Sequence, residues 1–390
     1  MNFHQLPRFM SSPEDLVMSA KSLIPLLRDQ AGEADRNGRL SAEVVRRLRE
    51  AGFFRILQPT RFGGYALHPS TLWRVTRELG RGCGSTAFIV SQLAVHCWIV
   101  GMFEEAAQRE VLGGGSDAVV SNLSVGVRRQ MSGMRNGDGY LVFGIWDFAS
   151  GIDFADWVIA AIKVPDADGK MEERIALVPQ REFTVEHESW TMIGARATGS
   201  KRVMLSEVHI PFYRTIAWAD VEAGTHPGLQ VNDGPLYQRT GAGSILVLSS
   251  AAPVVAVATA MVDHAIEEAG RRKTADRQWF AIELGKRAAQ IHMAHALLLH
   301  DADEVYEAGI YKQDLSLEVQ ARHRADAAII ARTALAATDG LIEALGGAIF
   351  CAGHPIERLF RDIHAMATHH RVRPEPACEL FGKVLLQAEG

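Results

Sequence analysis

No charged side chain occurs between positions 240 and 262. A helix of that length reaches across a bilayer, so this stretch forces a choice between a membrane span and the centre of a helical bundle. The stretch is rich in Ala and Ser, and Gly241, Gly243 and Pro253 interrupt it. It lacks the Leu, Ile and Phe density that favours insertion, and Arg239 is the only basic residue close to it. A helix apolar on most sides is what a bundle interior needs. The sequence therefore predicts a buried bundle helix and no membrane association.

The rest of the chain divides around that helix. In the first third, Ser12-Pro13-Glu14-Asp15 supplies a hydroxyl cap, a proline at the first helical position and acids facing the helix dipole. Leu16, Ala20, Leu23 and Leu27 follow at helical spacing. Further helices are predicted over 41–51, closed by Gly52, and over 70–79, 85–100 and 103–112. From about 118 to 211 the pattern changes to short apolar runs, with strands expected over 140–146, 157–162, 175–178 and 201–210. Asn136-Gly137-Asp138-Gly139 and Asp166-Ala167-Asp168-Gly169 read as hairpin turns. Residues 211–238 read as a loose linker, and long helical segments follow, with Ala327, Ala328, Ala331 and Ala334 spaced for close packing.

Composition narrows the function. With 41 Lys plus Arg against 46 Asp plus Glu, the formal charge is −5, which argues against a phosphate-backbone binder. No nucleic-acid partner is expected. Cys83, Cys97, Cys351 and Cys378 show no zinc-ligand spacing, and their scarcity predicts a reducing, cytoplasmic setting. Residues 1–10 hold Pro7 and Arg8 without an apolar run, so no secretory leader is expected.

Several common sites are missing. No GxGxxG follows a strand, and neither GxSxG nor HExxH occurs. Residues 194–201 echo a phosphate-binding loop, but Lys201 follows Ser200 and a strand follows both. His292, His295 and His300 lie near Asp301 and Asp303. A bundle di-iron site would want Glu three residues before each His, and Ala289 and His292 stand there instead, so no metal is predicted.

A set of short motifs in fixed order is more specific. Pro59-Thr60-Arg61-Phe62-Gly63-Gly64 comes first, then Cys83-Gly84-Ser85-Thr86-Ala87 leading to His96-Cys97-Trp98. Gly144-Ile145-Trp146-Asp147-Phe148-Ala149-Ser150-Gly151 follows, with Trp157 shortly after. Residues 194–200 and Val208-His209-Ile210-Pro211 come next. Gly346-Gly347, Pro355, Arg358, Arg361-Asp362-Ile363-His364-Ala365 and His369 close the series. Together these resemble the acyl-CoA dehydrogenase fold over about residues 15–385. Within it, the chain more closely resembles oxygenase components of two-component flavin monooxygenases, such as the hydroxylases of 4-hydroxyphenylacetate and 3-hydroxy-seco-steroids.

The resemblance implies an α+β chain with an N-terminal α-domain (1–116), a middle β-barrel domain (117–215) and a C-terminal four-helix bundle domain (216–390), assembled as a homotetramer. It implies a diffusible reduced FMN or FAD from a separate NAD(P)H:flavin reductase, O2 as cosubstrate, and a flavin C4a-hydroperoxide that hydroxylates a small aromatic or phenolic substrate. Ser150 corresponds to a serine at the flavin N5 edge, with Trp146 in the same motif. His369, beside His370, corresponds to a histidine near the reactive carbon, where its ordinary pKa suits a proton donor. His96 corresponds to a histidine that contacts the substrate hydroxyl. Trp98 and Phe88 are expected pocket walls, and Phe88 stands where relatives commonly carry Trp. Ser121 and Ser124 match a strand beside the flavin, Thr198 and Ser200 a loop at its edge. Arg271 or Arg272, with Arg272 preferred, matches a phosphate ligand.

Two other readings remain open. One is an acyl-CoA dehydrogenase-like oxidoreductase holding FAD tightly. Its catalytic Glu falls near 369 in relatives, where this chain has Thr368-His369-His370-Arg371, leaving Glu267 and Glu268 as candidates. The other is a non-catalytic helical scaffold, which would need none of Ser150, His369 and His96.

Overall fold

The computed structural model describes residues 12–113, 117–123, 132–238 and 241–387. Ser124, Arg239, Thr240 and the expected boundary at 116 lie outside the described residues. Helix α1 (Pro13–Asn37) opens with the expected cap: Asp15 N donates to Ser12 Oγ and Ser12 N to the Asp15 carboxylate, both at 3.1 Å. Helices α2 (Ala42–Glu50), α3 (Pro69–Gly80), α4 (Gly84–Val100) and α5 (Glu105–Leu112) follow, and every side chain of α4 is buried.

Eight strands come next among the described residues. They are β1 (Val120–Leu123), β2 (Ser132–Asn136), β3 (Gly139–Ala149), β4 (Trp157–Pro165), β5 (Met171–Pro179), β6 (Thr184–Glu186), β7 (Lys201–Pro211) and β8 (Thr215–Ala217). The expected barrel is corrected here. The strands form two four-stranded sheets, in the orders β1-β4-β5-β8 and β2-β3-β7-β6. No described strand pair joins the two sheets edge to edge. The alternating inner faces meet instead, and Trp146, Val142, Val158, Ile162 and Val203 fill the seam. Each fully buried aliphatic side chain there contributes about 1.5–3 kcal/mol relative to exposure. Strand β8 runs past the expected boundary at 215.

The expected linker is a packed segment. It contains helix α6 (Trp218–Ala223), and Leu236 and Tyr237 are buried. Tyr237 Oη donates to the Leu57 carbonyl at 2.7 Å, and Asn232 Nδ2 donates to the Gly101 carbonyl at 2.7 Å. These long-range bonds carry no local sequence signal.

The uncharged stretch forms most of α7 (Gly243–Arg271), a helix long and apolar enough to cross a membrane. In the fold its apolar residues are almost all buried. Helices α8 (Gln278–Tyr311), α9 (Leu317–Leu345) and α10 (Pro355–Met366) pack on it, and α11 (Pro374–Gln387) packs on α9. Helices α3 and α4 lie against α7 as well. A Cβ on Gly80 would come within 2.5 Å of Ala256 Cβ, so that glycine lets α3 approach closely. The amino-terminal and carboxy-terminal helices therefore share one hydrophobic core, running from Leu16 to Val372.

Candidate functional site

The loop from Gly194 to Ser200 is held by the Arg361-Asp362 motif of α10. Ala195 adopts φ +53°, a costly conformation for a residue with a Cβ. Asp362 Oδ1 compensates by accepting from Ala195 N at 2.8 Å. Burial pushes the Asp362 carboxyl up to about 7, against the pull of that hydrogen bond. The Arg361 guanidinium donates to the Ile193 carbonyl at 2.5 Å and to the Asp35 carboxylate at 2.9 Å. A Cβ on Gly194 would sit 1.9 Å from the Arg361 carbonyl oxygen, so only glycine fits there. Trp190 Nε1 donates to the Arg196 carbonyl at 2.7 Å and fixes the loop's other flank.

This clamp brings Ser150, Thr198, Ser200, Phe88 and His369 together around a cavity of about 330 Å³. The hydroxyls form a chain: Ser150 Oγ lies 2.8 Å from Ser200 Oγ, which lies 2.7 Å from Thr198 Oγ1. Thr198 Oγ1 donates to the Ala195 carbonyl at 2.7 Å. Each hydroxyl has one proton, so the chain runs from Ser150 to Ser200 to Thr198 to the carbonyl. Ser150 Oγ is thereby left presenting lone pairs to the cavity. Gly151 N donates to the Thr198 carbonyl at 2.8 Å, and Ser121 Oγ donates to the Ser150 carbonyl at 2.7 Å, which locks the strand end in place.

Trp146 is not on this cavity. It is 1% exposed, points into the seam between the sheets and donates from Nε1 to the Ala161 carbonyl at 3.0 Å. The β3–β7 register slips between Trp146 and Ala149, and Phe148 takes φ +65°. That bulge turns Phe148 onto the cavity wall, where it meets Trp190 edge-on with ring centroids 5.9 Å apart. Alternation along an unbroken strand does not reveal the switch. Phe148 and Trp190 are thus the wall residues that sequence reasoning missed, and only their place inside or near quoted motifs hinted at them.

His369 lines the cavity and meets Phe88 edge-on, with ring centroids 6.2 Å apart. Its Nδ1 accepts from Arg371 N at 3.3 Å, so in the neutral ring the proton sits on Nε2. Burial, and then the charges of His370 and Arg371, push its pKa well below the ordinary value. The expectation of an easily protonated imidazole is corrected accordingly: this ring is neutral, with its proton on Nε2.

His96 lies behind β1, where its Nδ1 is 3.3 Å from the Val120 carbonyl oxygen. The carbonyl can only accept, so Nδ1 carries the proton. Nε2 is a bare acceptor, buried and without a partner among the described residues. Burial, then the charge of Arg371, lowers its pKa to about 3. Trp98 is a core residue rather than a cavity wall, with Nε1 donating to the Leu236 carbonyl at 3.2 Å. Arg271 and Arg272 stand at the end of α7 and pair with Glu268, away from the cavity. Glu267 pairs with Arg28 at 2.7 Å.

A second cavity, of about 360 Å³, lies beyond His370 and is reached by Arg371 and Asn122. Elsewhere, His300, Asp301 and Glu304 bring possible metal-ligand atoms within 4.8 Å of one another. Arg322 already supplies positive charge there, 2.6 Å from Glu304 and 3.6 Å from Asp301.

The first cavity fits a flavin ring: its volume, aromatic walls and Ser150 acceptor suit a flat heterocycle with an N–H edge. Residues 23–113 match the acyl-CoA dehydrogenase N-terminal domain and 248–374 the acyl-CoA dehydrogenase C-terminal domain. The flavin-dependent monooxygenase, oxygenase subunit HsaA, of Rhodococcus jostii (strain RHA1) is 29% identical over 372 residues, covering 93% of this chain and 95% of the relative. The FADH(2)-dependent resorcinol hydroxylase, oxygenase component, of Rhizobium sp. (strain MTP-10005) is 27% identical, covering 96% and 94%. The crystal structure of the HsaA monooxygenase from M. tuberculosis superposes with a TM-score of 0.91 at 29% identity, over 96% of this chain and 98% of that one. XiaF from Streptomyces sp., in complex with FADH2 and glycerol, gives 0.88 at 27% identity, over 96% of each chain. The fold, the clamped hydroxyl loop and these relatives agree: the chain belongs to the acyl-CoA dehydrogenase fold family, in the group of flavin-dependent monooxygenase oxygenase subunits.

Proposed function

We propose that this chain is the oxygenase component of a two-component flavin hydroxylase acting on a small phenolic substrate. The observation that carries the reading is the wall of the first cavity, which offers hydroxyls, aromatic rings and a neutral histidine but, among the described residues, no carboxylate. Acyl-CoA dehydrogenation needs a carboxylate to take an α-proton. Glu267 and Glu268 are paired with arginines elsewhere and do not replace it.

When bound, the reduced flavin supplies the electrons that let O2 deliver one oxygen atom to the substrate, the other leaving as water. The chain's own residues do the rest. Ser150 Oγ accepts from the cofactor's N–H edge, oriented by Ser200 and Thr198. His369, accepting from Arg371 N at Nδ1, keeps a proton on Nε2 as a donor for the cofactor. His96 offers Nε2 to a phenol O–H, which raises the electron density of the ring. Phe88, Phe148 and Trp190 keep water away. Arg272, or Arg271, would meet the cofactor phosphate only by leaving Glu268.

The reduced FMN or FAD would come from a separate NAD(P)H:flavin reductase, since the sequence shows no nicotinamide fingerprint. A homotetramer is supported by exposed apolar side chains on the bundle, including Ile282, Met293, Ile310, Ile329 and Leu386. A cytoplasmic setting is supported by four free thiols.

The test loads the protein anaerobically with FMNH2 or FADH2, mixes it with O2 and follows flavin reoxidation, with and without a panel of phenols. Reoxidation slower than that of free flavin, with hydroxylated product, is expected. Reoxidation at the free rate overturns the reading. Bleaching of a tightly held flavin by an acyl-CoA would favour the dehydrogenase, and absence of flavin binding the scaffold.

A further inference from the structure

The second cavity is chemically unlike the first. Arg324 of α9 and Arg371 and Arg373 of the segment before α11 bring three guanidinium groups to it. Arg324 has a carboxylate nearby, Glu222 at 3.8 Å. Arg371 and Arg373 have no ion-pair partner among the described residues. Glu173 also borders the cavity, on the exposed side of β5. The start of α7 reaches the wall at Gly243, and its cap, Ala242, offers no side-chain acceptor. The first-turn amides therefore add positive potential.

The lining also includes apolar side chains, Leu246 and Val247 of α7 and Leu380 of α11. Burial lowers Arg371 to about 10, which still leaves it charged at neutral pH. Arg371 is half-buried, and a partly desolvated charge without a counterion is costly and is relieved by an anion that enters with the ligand.

The geometry points to a substrate with two ends. We infer that the second cavity binds a phenol carrying a carboxylate, that Arg371 pairs with this carboxylate, and that Arg373 assists at the rim. The ring lies against Leu246 and Val247. This inference rests on the hydroxylase reading, which it deepens by naming the substrate class. Arg371 is a substrate-binding residue in this scheme, and charge-assisted pairing with a guanidinium provides its selectivity.

The test uses the full-length protein and three acids: 4-hydroxybenzoate, 4-hydroxyphenylacetate and 3-(4-hydroxyphenyl)propionate. Each is paired with its neutral amide, and dissociation constants are measured by equilibrium dialysis. At least one acid is expected to bind about tenfold more tightly than its amide, the range of one charge-assisted pair. Arg371→Gln should abolish the preference without weakening the amide, and Arg371→Lys should restore part of it. No preference in any pair, or one that survives Arg371→Gln, overturns the proposal. If Arg371→Gln weakens FMNH2 but not reduced riboflavin, the guanidinium serves the cofactor phosphate and the proposal also falls. Should that variant fail to fold, Arg373→Gln on the exposed rim takes its place, and an unchanged preference counts against the pair. Reoxidation of bound FMNH2 in the same wild-type preparation separates the two failures. Slow reoxidation without acid preference sinks only the carboxylate anchor, whereas reoxidation at the free rate sinks the hydroxylase reading.

Discussion

The two cavities differ little in size, at about 330 and 360 Å³, and greatly in chemistry. Among the described residues, one is lined by hydroxyls and rings without a formal charge, the other by three guanidinium groups, the carboxylates of Glu173 and Glu222, and a helix start. Three consecutive residues separate them: His369 faces the first, Arg371 the second, and His370 borders both. The division is made by a single 3-10 turn, His370–Val372, whose first amide-to-ring bond is Arg371 N to His369 Nδ1. One turn thus sets the tautomer of a histidine on one side and aims an arginine to the other. A neutral compartment suits a redox heterocycle, and a charged one suits selection of an anionic substrate.

The contrast can be broken most severely at Gly194. Gly194→Ala forces a Cβ against the Arg361 backbone, and a loss of about 3 kcal/mol in urea denaturation is expected, together with loss of reduced-flavin binding. A change below about 1 kcal/mol would show that α10 can retreat and that the clamp is soft. His369→Ala should come next, lowering product per O2 consumed by at least about tenfold while leaving the thermal melt intact. Unchanged coupling, read as hydrogen peroxide released per flavin oxidised, would remove His369 from the first compartment's chemistry.

Smaller effects sharpen the picture. Ser150→Ala should speed reoxidation of bound reduced flavin by about tenfold, as for the loss of one hydrogen bond. Ser200→Ala should do less, because Ser200 only orients Ser150. Equal effects would contradict the directional hydroxyl chain.

The remaining predictions concern stability against pH. His226, His295 and His370 have pKa values lowered to about 4 by burial, and His96 to about 3. The unfolded chain takes up these protons first, so stability should fall as pH drops from about 6.5 toward 4. Coupling should show no inflection near 6.5, since His96 and His369 are already neutral there. Asp301, outside both cavities, works the other way. Burial pushes its carboxyl up to about 8, so the folded state holds its proton longer and loses stability as pH rises toward 8. Asp301→Asn should flatten that decline in melting temperatures taken between about pH 6 and 9, without changing the dissociation constants of either cavity's ligands. A decline of the same size in the variant would assign it to other groups, Asp362 first.

The α–β–α order, the cap at Ser12 and the buried character of the 243–262 segment were legible because each depends on local chemistry or on composition over a window. Ser150, Ser200, Thr198, Phe88 and His369 were also legible, through the resemblance, and the fold brings them around one cavity. The displaced residues show where local reading ends. Trp146 and Phe148, which would share a face of a regular strand, face apart because the strand gains a bulge against β7. Trp98 belongs to the core because its indole finds the Leu236 carbonyl across 138 positions of sequence. The middle domain is two open sheets because strand pairing, which sets closure, is a long-range property.

Sequence alone determined which segments bury themselves and which hydroxyl, imidazole and guanidinium groups were available, because helix periodicity, capping and apolar content act within a few residues. The tertiary structure alone decided the states of those groups: the proton on His369 Nε2, the acceptor face of Ser150, and, among the described residues, the bare His96 Nε2 and the unpaired Arg371. Each of these depends on burial and on a partner brought in from a distant part of the chain, and no local pattern encodes either.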